Sequence, residues 1–492
     1  MIEAQIQYSK IQAISRQMGE NMQRISRSPL VSEDRSFATA IFTGELELAV
    51  QDGYEPEHLF ALKESIDHLF EYFSFDIADG DVLLVADPYN GGTRGQAMTM
   101  AAPLFHQGEL VLFPVIRVQM TDLAGEFPGG LNPEAFEVWQ ESMRITPVKL
   151  YRQGLLQQDV LRFLLANSRM PSLYESELQG MYACLCSAQK QILDLISHHG
   201  NELNQSIEVM SNYSKNRLLK HINQLPQEKM QSQVAFISGE ITAKIEVSVQ
   251  PNGDQVIIDF SGTGNQLETP LNSTFTATKA YAVWPFLAPL ADELAINDGV
   301  LRMFVVQAPK GSLLHPKLPA SVGLSTMITG HFISEAVSKA LQKGRASEAI
   351  YSAIHGAGPQ VVLFPPFGRH RETEPIFLAP GFPESKLGFG PSALFGNKKL
   401  ISAEELEFNY NFEMTKRELN EKGQMVVRLV NKGEDYLVNM IIPESSDEQY
   451  GNVSIYSNGN KETYSKSMAG KQLKSGDKIE FIYMREGGHP QS

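Results

Sequence analysis

DVLLVA at residues 81–86 runs directly into DPYNGGTRG at 87–95. The first piece is apolar after its leading Asp and reads as a short buried strand. The second opens on Asp-Pro and holds two adjacent glycines, so the strand ends in a turn whose backbone can reach conformations closed to other residues. A loop bearing Asp and Arg immediately after a buried strand is a common place for a binding or catalytic site. Reading outward, Gln107-Gly108 is a turn before a second strand, LVLFPVIRV at 110–118. Upstream, Leu59, Leu62, Ile66, Leu69 and Phe73 recur at three and four and predict a helix with one buried face, with Pro56 in its first turn. Before it, FATAIF and LELAV flank Thr43-Gly44 as a hairpin between 38 and 50, and the first 30 residues read as helix.

Downstream, residues 157–221 read as helical. Leu178, Met181, Leu185, Ala188, Ile192 and Leu195 form one stripe that ends at His198-His199-Gly200. That histidine pair reads as basic residues in a last turn before a glycine cap rather than as metal ligands. AFISGEI, AKIEVSVQ and DQVIIDF then predict strands, with Pro251-Asn252-Gly253 as a hairpin turn. Helices return near 275–289 and 324–343. The last 90 residues read as strands: EELEFNYNFEM, QMVVRLV, YLVNMII, NVSIYS and DKIEFIYM. The fold class is α+β, with mixed sheets, helices and a β-rich C-terminal region. Composition divides it into an α/β region at 1–230 carrying the DPYNGGTR motif, a mixed region at 231–400 and a β-rich region at 401–492.

The chain has 492 residues, 42% of them hydrophobic and 20% charged, with a formal net charge of −15. That length buries a large core without disulfide staples. The acidic balance repels nucleic acid and anionic lipid, so neither is expected as a partner. The start, MIEAQIQYSK, lacks a basic and an apolar signal segment, and AYAVWPFLAPLA at 280–291 is too short to span a bilayer. The expected location is cytoplasmic. The two cysteines, Cys184 and Cys186, lie two apart in a helical stretch, point to different faces and read as small hydrophobes.

The sequence carries no G-x-S-x-G elbow, no Walker-type phosphate loop, no H-E-x-x-H and no C-x-x-C. SGTG at 261–264 reads as a plain turn. The chemistry concentrates between 87 and 141. Asp87, Gly91, Gly92, Arg94, Arg117, Asp122 and Glu141 fall in one loop-rich stretch. The carboxylates Asp87, Asp122 and Glu141 are the candidate catalytic groups. Arg94, Arg117, Gly91 and Gly92 are the candidates for binding a substrate or an anion.

At these residues the chain resembles the hydantoinase B / 5-oxoprolinase family, which includes N-methylhydantoinase B and acetone carboxylase alpha-like chains. DPYNGGTRGQA is similar to the family's N-D-P-Y-x-G-G-T-H-x-x-D, and RVQMTDLAG (117–125) to R-G-H-H-A-D-I-G-G. PGGLNPEAFEVWQESMRITPVKLY (128–151), LLANSRMP (164–171), IDFSGTG (258–264) and APKGSLLHPKLPASV (308–322) follow in the family's order. The resemblance implies a hydantoinase B-like fold and ATP-dependent hydrolysis of cyclic amides such as 5-oxoproline, hydantoins and lactams. It implies an A-type partner that binds ATP, and therefore an oligomer. It also implies a metal site where water is activated.

The departures fall on that metal site. The family's His and Asp of G-T-H-x-x-D land on Arg94 and Ala97, and its two His of G-H-H-A-D on Gln119 and Met120. Arginine has no lone pair to offer a cation, and Met suits no hard hydrolytic metal. The expectation is therefore no metal at these positions and no cofactor in this chain, ATP belonging to the partner. Three readings follow: a hydrolase subunit with an altered site, a non-catalytic structural or regulatory paralogue, and an anion-binding protein using Arg94. Arg94 is expected to replace the cation's charge by pairing with Asp87, Asp122 or Glu141.

Overall fold

The computed structural model describes residues 2–53, 55–74, 76–200, 202–238, 241–290, 294–343, 359–366, 375–378, 402–421, 424–443 and 451–483. Of the predicted elements, Met1, Asn201, Gly239-Glu240 and Met484 lie outside the described residues.

The chain opens with α1 (Ile2–Ile25), whose Tyr8, Ile11, Ile14, Met18 and Met22 are buried. A turn of helix, α2 (Pro29–Ser32), leads to β1 (Phe37–Phe42) and β2 (Leu48–Gly53), the antiparallel hairpin. Helix α3 (His58–Phe73) buries Leu59, Leu62, Ile66 and Leu69. Pro56 precedes this helix rather than sitting in its first turn: Glu57 is the cap and His58 the first helical residue.

Then come β3 (Val82–Ala86), β4 (Ala97–Ala101), the short hairpin β5 (Phe105–His106) and β6 (Glu109–Leu110), and β7 (Phe113–Gln119). LVLFPVIRV is thus divided between β6 and β7. After β8 (Ile145–Arg152) and β9 (Leu155–Leu156), the seven-stranded sheet reads β2-β1-β7-β4-β3-β8-β9, antiparallel throughout. Strands β1, β7, β4 and β3 are buried along their whole length. Both faces are therefore covered. Thr39 of β1 bonds Ser15 of α1, whereas Thr99 of β4 bonds Ser65 of α3, and Ala38, beside Thr39 on β1, pairs with Arg117 of β7, which pairs with Thr99. Alternate strand residues point to opposite faces, so α1 lies on one face and α3 on the other.

Helices α4 (Gln158–Ala166), α5 (Pro171–His199) and α6 (Glu202–Ile222) follow. The α5 stripe from Leu178 to Leu195 is buried, and α1 packs against both α5 and α6. The helix stops where the Gly200 amide donates to the Ile196 carbonyl. A second sheet holds β10 (Met230–Ser238), β11 (Ile241–Asn252), β12 (Gln255–Asp259) and β13 (Phe304–Gln307), the last two parallel. The crossover between them contains α7 (Phe275–Leu287) and α8 (Asp298–Leu301). Helix α9 (Gly330–Lys343), preceded by a wider turn at Ser325–Thr329, covers β10 and β11, with Phe236 and Phe332 stacked at 4.6 Å.

The C-terminal part begins with β14 (Gln360–Phe364) and β15 (Ile376–Leu378). EELEF, expected as strand, is helix α10 (Ala403–Tyr410): the Ser402 hydroxyl accepts from the Glu405 amide while Glu405 accepts from the Ser402 amide, a reciprocal cap that starts a helix. The remaining strands are β16 (Phe412–Leu419), β17 (Met425–Asn431), β18 (Tyr436–Ile441), β19 (Gly451–Ser457), β20 (Asn460–Tyr464), β21 (Met468–Leu473) and β22 (Lys478–Tyr483). They form the sheets β15-β14-β18-β21 and β16-β17-β22-β19-β20. One hydrophobic core runs from Tyr8 to Ile441 and a second lies within the C-terminal sheets. The chain is α+β, as its sequence pattern predicts.

Candidate functional site

The DPYNGG loop leaves β3 and folds back on α3. Gly91 adopts φ +84°, and a Cβ there would stand 2.6 Å from the Glu64 carbonyl carbon. A Cβ on Gly92 would stand 2.5 Å from the Asp87 carbonyl oxygen. These glycines admit the protein's own backbone rather than a ligand.

The three candidate carboxylates do not share one pocket of like charges; each has its own donors. Asp87 is 1% exposed and accepts two bonds from Arg144, at 3.2 Å from Nε and 2.7 Å from Nη2, plus one from the Tyr89 amide and one from Asn90. Asp122 accepts from the Arg169 guanidinium at 3.1 Å and from the amides of Arg169 and Gly129. Burial raises its pKa, with Arg169 opposing. Glu141 accepts from the amides of Val322 at 3.0 Å and Gly323 at 2.6 Å. Among the described residues no cation pairs with it, and burial pushes its pKa up to about 8 against the pull of those two amides. Gln96 ties the same loops together, donating to the Glu141 carbonyl and accepting from the Leu123 amide.

Arg94 pairs with none of the three, which corrects the expectation. Its Nη2 lies 3.4 Å from Oε1 of Glu57, at the start of α3. The reason is supply: Arg144 and Arg169 have already claimed Asp87 and Asp122, and backbone amides have claimed Glu141. Arg117 also departs from its expected role. It is 1% exposed, with Nη1 donating to Thr99 at 2.9 Å and Nη2 to Thr93 at 3.1 Å. Desolvation brings its pKa down to about 10, with Glu57 opposing and Arg94 reinforcing. It is packed inside and presents nothing to an outside anion.

The pieces meet on the α3 face of the seven-stranded sheet. Arg117 and Gln119 are alternate residues of β7, and they pair across to Thr99 and Ala97 of β4. All four side chains therefore point toward α3. There stand Glu57, 2% exposed, and His58, fully buried. His58 Nε2 is 3.4 Å from Glu55 Oε2 and 4.0 Å from Glu57 Oε1. Among the described residues neither ring nitrogen of His58 finds a hydrogen-bond partner. Tyr281 of α7 closes the cluster. Its hydroxyl donates to the Thr326 carbonyl, and burial, then the charges of Glu57 and Glu55, raise its pKa. Sequence reasoning passed over Glu55, Glu57 and His58. EPEH reads as an ordinary acidic helix start, and only the carboxylate-x-carboxylate-His spacing marked it.

Residues 1–423 match the Hydantoinase B/oxoprolinase family.

The chain belongs to the hydantoinase B/oxoprolinase family.

It is 27% identical over 370 residues to an uncharacterized protein of Methanocaldococcus jannaschii, covering 74% of this chain and 65% of that one. To caprolactamase subunit beta of Pseudomonas jessenii it is 25% identical over 417 residues, covering 81% and 71%. The fold matches the crystal structure of the ATP-dependent caprolactamase from Pseudomonas jessenii with TM-score 0.81 at 19% identity, over 98% of this chain and 90% of that one. Against the hydantoinase B/oxoprolinase pattern, the inherited metal positions do not fit a metal in this chain. Arg94 offers only donors, Ala97 a methyl group and Met120 a thioether, while Gln119 offers a neutral amide oxygen, buried without a partner.

Proposed function

We propose that this chain is the B-type subunit of an ATP-dependent system that opens cyclic amides, working with an A-type subunit that binds ATP. Family membership and the caprolactamase-like fold over nearly the whole chain support this reading. The test is co-expression with an A-type chain from the same source, then assay of ADP and ring-opened product from 5-oxoproline, hydantoin and caprolactam. A complex with ATP-dependent ring opening is expected.

One observation favours a second reading, a subunit that assembles but does not hydrolyse. Arg94, at the place of the family's metal-binding His, is buried and paired with Glu57. A stable complex that turns over none of the three amides would select this second reading. A chain that stays apart from its A-type partner sinks both.

A further inference from the structure

We propose that Glu55, Glu57 and His58 form a divalent-cation site of different ligands from the inherited set, suited to Zn²⁺ or Mn²⁺. This goes beyond the family reading and revises the expectation of a metal-free chain. Three observations carry it. The ligand atoms of these residues all lie within 4.8 Å of one another, and no other such group occurs among the described residues. Two ligands on one ion, each about 2.0–2.2 Å from it, stand about 3 to 3.5 Å apart. The 3.4 Å between His58 Nε2 and Glu55 Oε2 fits that spacing, and the 4.0 Å to Glu57 Oε1 needs only a small inward shift.

The second observation is His58 itself. His58 is fully buried, its ring nitrogens make no hydrogen bond among the described residues, and Nε2 aims at two carboxylates without bonding either, so the ring misses the hydrogen bond that burial ordinarily demands. A cation between the three groups takes the place of that bond. Two carboxylates and one imidazole suit a first-row divalent ion of hard or borderline character. The Ser36 hydroxyl donates to Glu55 Oε2, the oxygen that faces His58, at 2.6 Å and fixes the position of that carboxylate.

The third observation is a way in. A cavity of about 490 Å³ between α1, α6, α7 and the end of β2 is lined by Glu55 together with Tyr8, Arg16, Asp52, Arg217 and Trp284. It brings solvent to one ligand while the other two stay buried.

The opposing force is charge. Arg94 and Arg117 both face Glu57, so a divalent ion brought to the cluster adds positive charge beside two guanidinium groups. Arg94 holds Glu57 by one contact of 3.4 Å, longer than a charge-assisted bond of about 2.7–2.9 Å, and its Nε is buried without a partner. The ion and Arg94 therefore compete for Glu57, and removing Arg94 strengthens binding.

The test uses the full chain without its partner, so that a failure here leaves the B-subunit reading untouched. Zn²⁺, Mn²⁺ and Co²⁺ are titrated by calorimetry after chelation, and visible absorption of the Co²⁺ form reports imidazole and carboxylate coordination. One equivalent is expected. Glu57→Gln and His58→Asn, each verified as folded by circular dichroism, should weaken it about tenfold or more, and Arg94→Ala should tighten it by a similar factor. If His58→Asn fails to fold, Glu57→Gln and Arg94→Ala decide. No uptake by the wild-type chain and by Arg94→Ala alike, or uptake indifferent to Glu57→Gln, overturns the proposal.

Discussion

Arg94 and Glu57 are buried charges that compensate each other, with Arg117 also attracted to Glu57 and repelled by Arg94, so truncating either has a cost that the surface does not absorb. The side chains are 10% and 2% exposed. Removing one partner of a buried pair costs about 3–5 kcal/mol, and the long contact places Arg94→Met near about 3 kcal/mol, measured by urea unfolding. A loss below about 1 kcal/mol would show that the pair is hydrated and carries little charge compensation. Arg144→Ala should cost at least as much, because it strips both side-chain bonds of one guanidinium from the buried Asp87. Glu141 gives a pH dependence of definite sign. Its pKa rises from 4.5 to about 8 on folding, so the folded state holds a proton that the unfolded chain releases. This contribution is complete below about pH 4.5 and is lost as pH climbs to about 8. Glu141→Gln should flatten that decline in a series of thermal midpoints, and an unchanged slope would mean Glu141 stays ionised inside. None of these three partnerships was legible in the sequence. The candidate residues were found to be buried and polar, but Arg94 and Glu57 lie 37 positions apart, Asp87 and Arg144 57 apart, and Glu141 answers to amides 181 positions on. Periodicity reports which face a residue takes, not which charge waits there.

At the scale of elements, most of the pattern was readable because burial imposes a period. The helix of Leu59 to Phe73, the strand VLLVA, the hairpin around Thr43 and the long α5 stripe all have one or two faces against the core. EELEF failed for an instructive reason: its alternation looks like a strand, but Ser402 and Glu405 three residues on are a helix cap, and cap chemistry outweighs four residues of alternation. Strand β7 is the element on which the first sheet depends, since it pairs with β1 on one side and β4 on the other. Ile116, at its centre, is 0% exposed. Ile116→Ala should cost about 2–5 kcal/mol, whereas Ile2→Ala, at a site 77% exposed, should change stability by about 0.5 kcal/mol or less. Comparable losses at both positions, read from the same denaturation curves, would mean that β7 is not the organising strand.

Over the whole molecule, the first core is shared by segments from Tyr8 to Ile441, while the second stays within the C-terminal sheets. The five-stranded sheet there has an assembly order built into it. Its central strand, β22, is the last of the five along the chain and sits between β17 and β19. Until residues 478–483 leave the ribosome, β17 (MVVRLVN) and β19 (GNVSIYS) each hold out an unpaired edge, that of β17 rich in Val and Leu. At about 5–20 residues per second that interval after β17 lasts roughly 3–10 s. Open apolar edges pair readily with other chains. A product cut short before Lys478 therefore leaves two adhesive strands with nothing between them, and chaperones and proteases would recognise it as unfinished.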